Sequence, residues 1–138
     1  MVLDTDVVVA ALRSPTGGSA ALLRLLRQGQ GTMLISTALL LEYEAVCMRP
    51  LHRTAAGLSA IDVQSFIDGL AVLAEPVPVH FHWRPQLLDP GDEMVLEAAV
   101  NGRADAIVAF NLRDYGDVPR RFGLLSMRPA DALGRIVQ

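Results

Sequence analysis

Asp4, Glu42, Asp92, Asn111 and Asp114 are the residues of this 138-residue chain whose types and spacing could do chemistry together. Asp4 directly follows the apolar pair Val2-Leu3. Asn111 directly follows a second apolar run, Ala106 to Phe110, with Asp114 one helical turn further on. Asp92 opens a periodic apolar segment after a Pro90-Gly91 turn, and Glu42 stands six residues beyond Ser36, which closes Met33-Leu34-Ile35. If the short apolar runs are strands of one parallel sheet, acids at their carboxyl ends gather at one edge, where open α/β sheets take up ligands. Carboxylates a few Å apart repel one another. A divalent cation resolves that conflict, and magnesium, which favours hard oxygen ligands and keeps several waters, needs only a few of them. A water on such a metal is a stronger nucleophile, and the metal also neutralises charge on a phosphodiester oxygen. The chemistry implied is hydrolysis of a phosphodiester. No His–His or His–Glu pair is evident that would drive attack by a ribose hydroxyl instead.

The elements that must position these residues follow from periodicity and caps. The sequence predicts strands at Met1–Asp4, Met33–Ile35, Val77–Phe81, Ala106–Phe110 and Leu124–Ser126. It predicts helices over Asp6–Leu12 (capped by Thr5 or Asp6), Ser19–Gln28, Thr37–Met48 (capped by Ser36 or Thr37) and Ser59–Leu73. Two more run from Asp89-Pro90-Gly91-Asp92 to Asn101-Gly102, and from Pro129 to Val137. In the Ser59–Leu73 helix, Ile61, Phe66, Leu70 and Leu73 are the expected core contacts, and Leu51–Gly57 carries only weak patterning. Strands alternating with helices imply right-handed βαβ units around a buried parallel sheet. The expectation is one domain, residues 1–138, a three-layer α/β/α sandwich with a central parallel sheet of about four to five strands.

The same positions resemble the PIN-domain family. Val2-Leu3-Asp4-Thr5-Asp6-Val7 resembles its opening motif, and Ile35-Ser36 with Leu41-Glu42-Tyr43 its second. Asp89-Pro90-Gly91-Asp92 followed by Val95-Leu96-Glu97-Ala98-Ala99 resembles the third. Ala104-Asp105-Ala106-Ile107-Val108-Ala109-Phe110-Asn111 with Arg113-Asp114-Tyr115 resembles the fourth. The motifs come in order over nearly the whole chain. The sequence departs from the family pattern in three places: Asp6 for the usual Asn, Asn111 where many members have Asp, and Ala109 for the usual Thr. The resemblance implies a ribonuclease using Mg2+ or Mn2+, similar to the toxin halves of toxin–antitoxin pairs. It places metal ligation at Asp4, Glu42, Asp92 and Asp114, with Asn111 joining the catalytic set and Asp6 and Ser36 as accessory residues. It also implies an RNA substrate, a small antitoxin partner and a homodimer.

Each of these residues has a plainer use. Asp6 and Asp92 could simply cap helices. Glu44 should face away from Glu42, since neighbours at i and i+2 do not share a helix face, and Asp105 could bond turn amides. His80 and His82 would share one face of a strand without a third ligand nearby. Trp83 reads as a packed surface aromatic, and Cys47 as a small buried apolar group.

Composition narrows the field further. All twelve basic residues are Arg and net charge is -3, so no global basic field draws nucleic acid, and phosphate contacts fall to Arg113, Arg120 and Arg121 beside the fourth motif. The lack of Lys counts against a phosphatase of the haloacid-dehalogenase type. That alternative resembles this chain through Asp4-Thr5-Asp6-Val7-Val8, with Asp4 as nucleophile and Asp6 as acid–base; the later acidic pair Asp92-Glu93 follows a Pro-Gly turn where that type has an apolar strand. A third reading is a PIN-like module that binds RNA or protein without catalysis. A lone cysteine, no basic leader and no long apolar run point to the cytoplasm and away from a membrane. Apolar residues make up 51% of the chain, which suggests that partners cover some of its surface; the Ser19–Gln28 and Thr37–Met48 helices are the expected pairing faces.

Overall fold

The computed structural model describes residues 1–82 and 85–137; Trp83 lies outside the described residues. Strand β1 is Val2–Leu3, followed by helices α1 (Thr5–Arg13) and α2 (Gly18–Arg27). Strand β2 (Leu34–Ile35) leads into α3 (Thr37–Cys47), α4 (Pro50–Ala56) and α5 (Ala60–Leu73), then β3 (Glu75–Pro76) and α6 (Pro90–Asn101). Strand β4 (Ala106–Val108), a 3-10 turn at Leu112–Asp114, α7 (Val118–Arg121), β5 (Leu125–Met127) and α8 (Pro129–Ile136) complete the order.

Every ladder is parallel. Val2 pairs with Ile107 and Leu3 with Val108, Ala106 to Val108 pair with Leu125 to Met127, and Leu34-Ile35 pair with Glu75-Pro76. The Leu34 amide donates to the Met1 carbonyl at 2.8 Å, laying the second ladder beside the first. The strands therefore run in the order β3-β2-β1-β4-β5. The fold is a three-layer α/β/α sandwich with a central parallel sheet, as the alternation of strands and helices requires. Val2, Leu3, Ile107 and Val108 are fully buried, the mark of strands covered on both faces. Among the described residues, no single helix is long and apolar enough to cross a membrane.

The structure moves several elements. Pro50–Ala56 is a helix, entered through Pro50 at its first turn and ended by Gly57 in the left-handed conformation. It buries no residue fully, which is why its apolar pattern is faint. Along α5, Val63, Ile67 and Leu70 are buried, whereas Ile61 is 79% exposed; Phe66 and Leu73 pack at the core's margin. The third strand comes earlier than Val77–Phe81. Pro76 and Pro78 lack amide donors, and beyond them the Asn101 side chain satisfies the backbone instead, accepting from the His80 and Phe81 amides and donating to the Phe81 carbonyl. Strand β4 stops at Val108, and β5 begins one residue later than expected. The apolar stripe of α2 packs on α1 and α8, so the expected free face on Ser19–Gln28 is covered from within the chain. Exposed apolar side chains remain on α3, where Leu41 is 60% exposed.

Gly102, at the carboxyl end of α6, is needed for close approach rather than for an unusual φ. A Cβ there would sit 2.8 Å from Val77 Cγ2, 2.9 Å from the Ala98 carbonyl and 3.0 Å from Leu34 Cδ1. Gly102→Ala should destabilise the fold by about 1–3 kcal/mol through overpacking, read as a lower urea midpoint at unchanged m; an unchanged midpoint would show that β2 and the Val77 segment can yield.

Candidate active site

Asp4 is the first residue past β1, and its carboxylate is 7% exposed. It is the N-cap of α1: Oδ1 accepts the Asp6 amide at 3.0 Å. The cap is thus Asp4, not Thr5 or Asp6. Oδ2 accepts the Tyr115 hydroxyl at 2.6 Å. The other tyrosine, Tyr43 on α3, donates to the carbonyl of Leu3. Both phenols are buried, and both are held well above the usual tyrosine range, first by burial and then by the negative charge of Asp4. They remain donors at any physiological pH. The Asp4 amide donates to the Val108 carbonyl at 2.8 Å, closing the end of β1 against β4.

Around Asp4 the other acids converge. Asp92, in the first turn of α6, has its pKa pushed up to about 7, by burial first and then by the charges of Asp4, Asp89, Asp114 and Asp6. Asp6 is raised in the same manner, by burial and by Asp4, Asp114 and Asp89. Among the described residues no cation offsets Asp92, and His52 alone pulls Asp6 the other way. Asn111 donates its amide to Asp114 Oδ2 at 3.0 Å, so it orients the neighbouring carboxylate. Glu42 lies beside the start of α6, where a Cβ on Gly91 would be 3.6 Å from its Oε1; it is not among the charges that raise Asp92.

Some expected residues have other duties. Ser36 Oγ accepts the Leu39 amide at 3.1 Å, so it caps α3. Arg121 pairs with Asp117 at 3.1 Å on an exposed turn, while Arg113 and Arg120 have no ion-pair partner among the described residues. Asp105 stands 3.7 Å from the Met1 amino group rather than on turn amides. Glu44 is half-buried, not fully solvated. His80 and His82 do not share a strand face. His82 Nδ1 instead lies 3.0 Å from Glu97, a His–Glu pair that sequence reading does not anticipate, because Val77–Phe81 was expected to be a strand. Glu97 is not among the charges acting on Asp92 or Asp6.

Two residues of the cluster escape sequence reasoning. Asp89 caps α6 by accepting the Gly91 amide at 2.7 Å and adds its charge to Asp92. Its place three residues before Asp92, ahead of a proline, was the available signal. Tyr115 follows Asp114 directly, but only the fold turns it back onto Asp4, 111 positions earlier.

The PIN-domain family model matches residues 1–113. This chain belongs to the PIN-domain family. The match ends one residue short of Asp114, and no curated protein matches the chain. PIN domains are generally nucleases, which makes hydrolysis the coarse assignment. The haloacid-dehalogenase alternative fits less well, because that chemistry calls for a Lys and the chain has none. In this PIN domain Ala109 is 1% exposed and its amide bonds Met127, so the family's hydroxyl position is filled by core. A pocket of about 770 Å³ lies elsewhere, lined by Leu26, Met33, Val72 and Glu75 toward the opposite ends of β2 and β3.

The donors suit a hard divalent cation: they are carboxylate oxygens, they repel, and no cation among the described residues neutralises Asp92. Among the described residues no three such groups stand close enough to enclose an ion as they lie, which is the arrangement repulsion favours. Magnesium asks for only one or two carboxylates beside its waters. A raised carboxyl pKa means the folded state binds the proton more tightly, so metal-free stability should fall as pH rises from about 4 to about 7. Asp92→Asn removes that dependence. In chelator the variant should melt no lower than the parent at neutral pH, and the two curves should converge toward pH ~4; a variant that melts clearly lower at neutral pH would make Asp92 a structural acid.

Proposed function

We propose that this PIN domain is a Mg2+- or Mn2+-dependent endoribonuclease acting as the toxin of a toxin–antitoxin pair. The observation that carries the reading is the gathering of Asp4, Asp6, Asp89 and Asp114 close enough for their charges to act on Asp92, with no compensating cation among the described residues. In this reading Asp4, Glu42, Asp92 and Asp114 hold the ion, which supplies an activated water and neutralises phosphate charge. Tyr115 and the Asp6 amide fix the angle of Asp4, and Asn111 fixes that of Asp114. Arg113 and Arg120, both exposed, are free to take phosphate oxygens, which a planar guanidinium grips in two places. In this reading the nucleophile is water rather than a ribose hydroxyl, and the His82–Glu97 pair is not among the charges acting on Asp92 or Asp6.

The partners in this proposal are an RNA, a second copy of the chain and a small antitoxin, in a reducing cytoplasm. Ala38, Leu41 and Ala45 form an exposed stripe on α3, at the spacing of one helix face, and offer the pairing surface.

Products should carry a 5′-phosphate and a 3′-hydroxyl, and activity should vanish in chelator. Asp4→Asn and Asp92→Asn should each lower cleavage by about a hundredfold or more while the circular dichroism of the fold persists. Ends bearing a 2′,3′-cyclic phosphate, or cleavage that survives chelation, would overturn the mechanism.

A further inference from the structure

Asp114 belongs to two features at once. It is one of the charges raising Asp92, and it also lines a shallow groove of about 400 Å³ that leads away from the acids. One wall of the groove is the segment Pro85–Leu88 and the other is the turn carrying Arg113 and Tyr115, with Val118 behind it. The volume is that of an ordinary small-ligand site.

The first wall is anchored by a residue that the acidic cluster does not use. Glu93 follows Asp92 on α6 but is turned into the protein, at 4% exposure. Its Oε1 accepts the backbone amides of Gln86 at 2.6 Å and Leu87 at 2.7 Å. Its Oε2 is buried with no hydrogen-bond partner among the described residues. Burying a carboxylate half-satisfied is costly, and what it maintains here is the position of one loop. The ends of that loop's groove are chemically unlike. Leu88 projects fully into solvent at the lip. Across from it, Arg113 is exposed and has no ion-pair partner among the described residues. An apolar lip facing a guanidinium, beside carboxylates suited to a metal, matches an unpaired nucleotide. Its base has apolar faces that pack on aliphatic carbon and stack on a guanidinium, and its phosphate is anionic.

We propose that this groove is the subsite for the unpaired nucleotide next to the scissile phosphodiester, and that Glu93 is the positioning residue that holds its wall. The proposal rests on the ribonuclease reading above. Because a paired base cannot swing into the groove, the substrate is single-stranded at that position.

Binding separates the subsite from the chemistry. The probe is a series of short fluorescein-labelled single-stranded RNAs, each abasic at one position, titrated in magnesium against full-length Asp4→Asn protein, which retains the groove. One abasic position should weaken binding by roughly fivefold or more, the scale of one lost base contact. Adding Leu88→Ser or Glu93→Ala should erase that dependence, and Glu93→Gln, which keeps Oε1 as acceptor for both amides, should restore it. With wild-type protein, discrimination among bases at the same single position should flatten in Leu88→Ser and Glu93→Ala and return in Glu93→Gln. Abasic effects that are equal at all positions, or that are unchanged in Leu88→Ser and Glu93→Ala, overturn the subsite. A Glu93→Ala protein that is merely less stable, with its discrimination intact, overturns the role of Glu93. Position-dependent binding with no cleavage by the wild type would keep the subsite and overturn the nuclease reading alone.

Discussion

A carboxylate can be kept inside a fold only if donors reach its oxygens. Asp4 is met from both sides of the chain, by the amide of the helix it caps and by a phenol from near the far end of the sequence. The cap sets where α1 begins, and the Tyr115 bond fixes the turn after β4 against the end of β1. Tyr43 adds a third tie, binding α3 to the carbonyl of Leu3 just before the acid. The two tyrosines of the chain are thus both spent at one strand end. Apolar packing alone would leave the relative height of these elements loosely specified. The donors to Leu3 and Asp4 specify it to the length of a hydrogen bond.

Gathering further acids around that point costs stability in the absence of a counter-ion, and Asp92, raised first by burial and then by its acidic neighbours, is where that cost falls. The helices soften the cost. Asp89 and Asp92 sit at the amino-terminal turn of α6, where the unsatisfied amides and the helix dipole favour negative charge. Neighbouring residues then divide the work by geometry. Asp92 and Glu93 are consecutive, about 100° apart around the helix, so one faces the acidic cluster and the other is buried against the Gln86-Leu87 backbone. An acid at the edge and an acid in the interior of one helix turn couple the reactive position to the loop beside it.

Much of this was written in local sequence. The strand-then-acid junction at Asp4, the Ser36 cap, the Pro-Gly start of α6 and the parallel alternation of elements each depend on a few adjacent residues. They were legible because periodicity and capping act over one or two turns. The ordered motifs also carried the family, since they span most of the chain. Where local signals conflicted with tertiary context, reading failed. Val77–Phe81 has strand-like residues, yet the Asn101 side chain takes its backbone bonds, and Ile61 has core character on a face that meets nothing.

The sequence by itself determined which acids exist, that Asp4 closes a strand, and that the strands form a parallel sheet. Only the tertiary structure decided what each does there. It made Asn111 a donor to Asp114, drew Asp89 into the cluster, turned Glu93 inward, and brought Tyr115 across the molecule to Asp4. The reason is range. Helix caps and strand periods are set by neighbours along the chain, whereas the partner of a buried polar group is set by whichever donor or acceptor the packing of distant elements leaves within about 3 Å.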